Sequence, residues 1–142
     1  MNIRPFQQND LPAILDIYRQ SKLDELKFEA QAFTLLPLEE DKVRLGQLLE
    51  SNIYLFQDEG IVGYGALYQS EIRALFVKPD ARGKGIGKRL LDFLLNKTVG
   101  DASLYVAKTN TPAKQLYASY GFKVTEEFQT QYNGLSVQAN KM

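Results

Sequence analysis

A chain of 142 residues with 44% apolar and 24% charged residues suits a globular protein, and one domain over residues 1–142 is expected. Its 17 Lys and Arg balance 17 Asp and Glu, so no global charge surplus draws it onto nucleic acid or an anionic membrane. Cysteine and histidine are absent, which excludes disulfides, thiol nucleophiles, thiolate or imidazole zinc sites and serine–histidine pairs; no metal is expected, and catalytic protons would move through Glu, Asp, Tyr, Lys or water.

Met1–Pro5 has no apolar h-region and no stretch is apolar for long enough to span a bilayer, so a cytoplasmic location is the expectation. Ile3 to Phe6 reads as a short strand. Asp10 is placed to cap a helix with Pro12 in its first turn, and Ile14, Leu15, Ile17 and Tyr18 form its apolar stripe. Ser21 to Leu36 shows no clean period. Leu38 to Glu50 resumes helical spacing, with Glu39, Glu40 and Asp41 near the positive helix N-terminus. Ile53 to Gln57 and Ile61 to Tyr68 read as a hairpin around Asp58-Glu59-Gly60, followed by a strand from Glu71 to Val77. Strand alternation places Glu71, Arg73, Leu75 and Val77 on one face. Ile86, Leu90, Leu91, Leu94 and Leu95 mark a helix with one apolar face. Leu104 to Ala107 reads as a buried strand, and a helix from Ala113 to Tyr120 opens at Asn110-Thr111-Pro112 and stops at Gly121. Phe122 to Phe128 and Leu135 to Asn140 pair around Tyr132-Asn133-Gly134. The order β-α-α-β-β-β-α-β-α-β-β predicts an α/β fold, a mixed sheet flanked by helices.

The segment Arg82-Gly83-Lys84-Gly85-Ile86-Gly87 lies between a strand and a helix. A helix N-terminus offers unsatisfied N–H groups and partial positive charge, and glycines let an anion approach them. Lys78, Arg82, Lys84, Lys88 and Arg89 surround it, against the one acid Asp80, and this local excess suits a polyphosphate. A Walker P-loop would need Gly where Arg82 stands and Ser or Thr where Lys88 is followed by Arg89, and a dinucleotide fingerprint is opposed by Lys88 and by the position of the preceding strand. The segment fits Arg/Gln-x-x-Gly-x-Gly/Ala throughout.

On that motif, together with Leu75 to Pro79, Asn110 to Tyr117 and Tyr120-Gly121-Phe122, the chain resembles the GNAT superfamily of N-acyltransferases over nearly its whole length. The resemblance implies that Arg82, Gly83, Lys84, Gly85, Ile86, Gly87 and Lys88 wrap the pyrophosphate of acetyl-CoA. It implies that the main chain of Phe76 and Val77 holds pantetheine, with the Val77 N–H polarising the thioester carbonyl, and that Asn110 hydrogen-bonds the same arm or caps its helix. Tyr117 would protonate the CoA thiolate, and Glu71 would take the amine proton, often through water, or else pair with Arg73 as a solvated strand end. Seven acids between Asp24 and Glu50 could form a rim for a cationic amine or solvated helix faces.

The expected activity is direct transfer of acetyl from acetyl-CoA to a primary amine, a small molecule or a protein lysine or N-terminus. The alternative is a non-catalytic acyl-CoA-binding module. No nucleic acid or membrane partner is expected, and strand pairing across subunits offers a route to a homodimer.

Overall fold

The computed structural model describes residues 2–142, which divide into two compact units, the chain up to Ser21 with Leu36–Ala102, and Lys22–Leu35 with Ser103–Met142. Strands and helices follow the predicted order.

In the first unit, β1 (Asn2–Pro5), β2 (Asn52–Gln57), β3 (Ile61–Tyr68) and β4 (Glu71–Val77) pair antiparallel in sequence order. Helix α1 (Leu11–Ser21) buries Ile14, Ile17 and Tyr18, and the Tyr18 ring meets Phe76 of β4 edge-on at 5.6 Å. Asp10 does not cap this helix. It closes a short 3-10 turn, Gln8–Asp10, accepting the Gln7 N–H at 2.8 Å and the two Nη groups of Arg4 at 2.9 Å. The predicted helix over Leu38–Glu50 is a 3-10 turn, Leu38–Glu40, followed by α2 (Lys42–Leu49), and here Asp41 is the cap, accepting from Arg44 N.

Helix α3 (Ile86–Lys97) lays Leu90, Leu91 and Leu94, all fully buried, on the other face of the sheet. Two glycines of β3 make room for it: a Cβ on Gly65 would stand 2.8 Å from Leu94 Cδ1, and one on Gly63 would stand 2.9 Å from the Phe76 carbonyl oxygen and 3.3 Å from Leu90. Around them Phe56, Ala81, Ile86 and Leu90 form a core cluster with Leu75 and Val77 packed against it.

The second unit begins with a 3-10 turn, Lys22–Leu26, and irregular chain to Leu35. Strands β5 (Ser103–Ala107), β7 (Leu135–Lys141) and β6 (Glu126–Tyr132) lie in that order, all antiparallel, and α4 spans Thr111–Ser119. Phe122–Thr125, expected in the sixth strand, is outside it. Asn133 (φ 49°) and Gly134 (φ 82°) form the two-residue turn between β6 and β7, the left-handed pair that a tight hairpin requires. The irregular stretch is pinned by side chains: Thr109 Oγ1 donates to Glu29, Gln31 donates to Ser136 O at 2.8 Å, and Asn133 donates to Thr34 O at 3.0 Å. These bonds replace the backbone pairing that the segment lacks.

Candidate active site

The glycine loop is built by the way β4 ends. Lys78 N donates to Val62 O at 2.8 Å, closing the ladder with β3. Antiparallel alternation then directs the N–H and C=O of Val77 away from β3. A 3-10 turn, Pro79–Ala81, carries the chain off the sheet, and Gly83 (φ 81°) and Gly85 (φ 79°) turn it into α3 through left-handed backbone that other residues rarely adopt. Gly87 has no such φ; its place in the helix, 3.9 Å from Val77 Cγ2 for a built Cβ, accommodates a side chain.

Gly85 is the N-cap of α3, and no side chain caps the helix. The first helical bond runs from Arg89 N to Gly85 O at 3.0 Å, so the N–H groups of Ile86, Gly87 and Lys88 have no acceptor within the helix. Nothing stands within 4 Å of where a Cβ would lie on Gly83 or Gly85, and Lys84 and Lys88 are exposed beside them. This donor set fits a polyphosphate. The other cations have local duties: Lys78 Nζ lies 3.7 Å from Asp16, Arg82 Nε donates to Val77 O at 3.1 Å, and Arg89 stands over the Phe56 ring at 5.1 Å. Ile86, buried beneath the loop, fixes the helix start to the sheet.

Val77 O also accepts from the hydroxyl of Ser21 at 3.3 Å, the buried last residue of α1. Ser21 gives no sign of this contact in the sequence, because a serine at a helix end signals nothing about a distant strand.

Glu71 stands on a face different from the one alternation assigned. The register of β3 and β4 shifts between Ala66 and Leu67, so Ala66 faces Ala74 and Leu67 faces Ile72, leaving Arg73 as the extra residue of a bulge. Beyond the bulge the parity changes. Glu71, opposite Tyr68, therefore shares the face of Ala74 and Phe76, while Leu75 and Val77 point toward α3. Arg73 lies 3.7 Å from Glu71 and 2.5 Å from Glu50, with its guanidinium 3.9 Å over the Tyr68 ring.

In the second unit, Asn110 occupies the N-cap position of α4 but its side chain makes no capping bond, so its amide is not spent on the helix. Tyr117 is held by the helix's other end. Gly121 (φ 93°) takes the left-handed position, Gly121 N donates to Ala118 O at 3.0 Å and Phe122 N to Tyr117 O at 3.1 Å. This is a Schellman cap, and the residues it brings together, Tyr117 and Phe122, meet edge-on at 5.9 Å. The glycine flanked by aromatics at this spacing was a legible sign of that contact. Burial pushes the Tyr117 phenol up to about 12, and the Glu25 carboxylate adds to the shift. Tyr117 therefore stays protonated throughout the neutral range.

The acids from Asp24 to Glu50 are largely engaged. Glu25 pairs with Lys22, Glu29 accepts from Thr109, Glu39 lies 3.5 Å from Arg19, Asp41 lies 2.9 Å from Arg44, and Glu50 meets Arg73. Local pairing, not a rim of unbalanced charge, describes these five. Among the described residues no group of three or more carboxylates is disposed to hold a metal ion, and no helix is long and apolar enough to cross a membrane.

Comparison with known proteins gives a consistent result. The profile of the acetyltransferase (GNAT) domain matches residues 50–124, more than half of the chain. The chain is 44% identical over 69 residues to the peptidyl-lysine N-acetyltransferase YjaB of Salmonella typhimurium, a match spanning 49% of this chain and 46% of that protein. It is 27% identical over 128 residues to the peptidyl-lysine N-acetyltransferase YiaC of Escherichia coli, across 87% of this chain and 84% of that one. Among solved structures, a GNAT superfamily phosphinothricin acetyltransferase from Sinorhizobium meliloti in complex with acetyl-CoA superposes with a TM-score of 0.68 at 20% identity, covering 99% of this chain and 86% of the other.

Proposed function

The chain belongs to the GNAT acetyltransferase family, and on that premise we propose that it transfers an acetyl group from acetyl-CoA directly to a primary amine, a small molecule or a protein lysine or N-terminus. The observation that carries this reading is the uncapped N-terminus of α3 behind Gly83 and Gly85, a set of unspent donors suited to the CoA pyrophosphate. Acetyl-CoA would supply the activated acyl group as a thioester. In this reading Arg82 to Lys88 bind its phosphates, and the main chain of Phe76 and Val77 with the Asn110 amide orient its pantetheine arm. The outward direction of the Val77 N–H and the unspent Asn110 side chain support those roles.

Tyr117 is the proton donor to the leaving thiolate, a role supported by its raised pKa, which keeps the O–H in place at neutral pH. Glu71 is the base toward the amine; the bulge at Arg73 that re-aims it supports this, with Arg73 3.7 Å away as its ion-pair partner. We take both units as one acetyltransferase domain working in the cytoplasm, with neither nucleic acid nor membrane as partner.

The test is thiol release from acetyl-CoA against a panel of small amines, lysine peptides and free peptide N-termini. Lysine peptides head the panel because two relatives carry that acceptor in their names. Acceptor-dependent release is expected with at least one member. CoA binding without release across the panel would leave a binding module in its place.

A further inference from the structure

Strand β6 is the last strand of its sheet. The direction of its backbone groups follows from β7. Leu104 and Met142 exchange hydrogen bonds at 2.9 Å, and Lys108 N donates to Gln138 O at 2.9 Å, so alternate residues of β7 turn their groups toward β5. The residues between them turn toward β6, whose Glu126, Phe128 and Thr130 face back at Lys141, Ala139 and Val137. Glu127 and Gln129 accordingly direct their N–H and C=O away from β7.

Apart from the exposed Glu126 and Glu127 at one end, β6 carries few of the devices that usually protect a strand edge. Glu126–Tyr132 contains no proline and no lysine, and its register against β7 runs without a shift. Phe128 is only partly buried, and its ring stands edge-on to Tyr105 at 5.6 Å, itself 51% exposed. An aromatic pair thus lies open at the margin of the sheet.

We propose that β6 pairs antiparallel with β6 of a second copy of this chain, across a two-fold axis passing through Phe128. Every two-fold register centred on a residue sets outward-facing groups against one another, and the one centred on Phe128 also sets that ring against its own copy: Glu127 and Gln129 each exchange hydrogen bonds with Gln129 and Glu127 of the second copy. Phe128 then faces Phe128 in a non-hydrogen-bonded pair, the arrangement that brings side chains closest, and the two Tyr105 rings extend the stack on either side. Charges are compatible. Glu126 falls opposite Thr130, Glu127 falls opposite Gln129, and Glu127, the acid nearer the axis, is already paired with Lys108 at 3.1 Å. The contact is isologous and closes at two copies.

Sedimentation equilibrium on the full chain tests this, with Phe128→Lys, which sets like charge against like, and Gln129→Pro, which removes an outward N–H and leaves the ladder with β7 untouched. Wild type should dimerise in the micromolar range and each variant should weaken association at least about tenfold, with unchanged circular dichroism. Because the chain lacks cysteine, register is read directly: Phe128→Cys should form a disulfide-linked dimer on mild oxidation, whereas Thr130→Cys, displaced four residues from its own copy, should not. A monomeric wild type, dimers that survive in Gln129→Pro, or Thr130→Cys crosslinking as fast as Phe128→Cys would each overturn the proposal. Should Phe128→Lys fail to fold, the proline variant and the crosslinking pair decide.

Discussion

The proposed proton transfer to the thiolate rests on one hydroxyl, that of Tyr117. Its phenol is pushed up to about 12 by burial, with Glu25 second, whereas an unfolded tyrosine ionises near about 10. The folded state therefore holds the proton more tightly, and the contribution to stability is full below about pH 10 and is lost as pH rises toward about 12. The unfolding free energy of the wild type from urea titration should fall relative to Tyr117→Phe across that window, by at most about 2 to 3 kcal/mol, since the ring is partly reached by solvent. The same variant at neutral pH should keep its CoA affinity and lose turnover by about a hundredfold or more, measured by thiol release with an accepted amine. The role proposed for Tyr117 came from the family resemblance alone, whereas its place on a helix was legible from Asn110-Thr111-Pro112 and Gly121. The setting of Glu71 was not, since a bulge changes the parity of a strand without changing its apolar pattern; Arg73, the extra residue, is polar and leaves Ile72 and Leu75 in place to mislead.

Elements were read well wherever periodicity ran long. Ile61–Tyr68 and Glu71–Val77 begin and end where expected, and α3 follows its leucines. The failures fall where side chains, not backbone ladders, hold the chain: Asp10 spent on Arg4 and Gln7 instead of α1, and the stretch after Leu26 pinned through Glu29, Gln31 and Thr34. No periodicity records such bonds. Glycine has opposite meanings in two of these elements, and the difference can be measured. Gly63→Ala would drive a methyl group against the Phe76 carbonyl, backbone that the β3 ladder holds, and should destabilise by about 1 to 3 kcal/mol while disturbing Val77 next door. Gly46→Ala, inside α2 with nothing within 4 Å of the new methyl, should stabilise by about 0.5 to 1 kcal/mol. Denaturant titration of the two variants beside the wild type gives both signs.

At the scale of the molecule, a chain of zero net charge has no general field for a polyanion, so the proposed CoA site rests on one helix end and the lysines beside it. CoA at about a hundred times its Kd should add about 2.7 kcal/mol of stability, seen as a rise in Tm of several degrees, and the rise should shrink in Gly85→Ala, whose backbone is strained at φ 79°. The uncapped N-terminus of α3 also bears on stability engineering. Any selection that scores the unliganded protein by its melting temperature will favour a side chain with its own acceptor at position 85, asparagine above all, because it tolerates left-handed backbone and satisfies the waiting N–H groups. Such a variant would rank as an improvement while occupying the place proposed for the donor's phosphates. Stability engineering of this fold must therefore be scored with CoA bound, or it will select proteins that have become their own ligand.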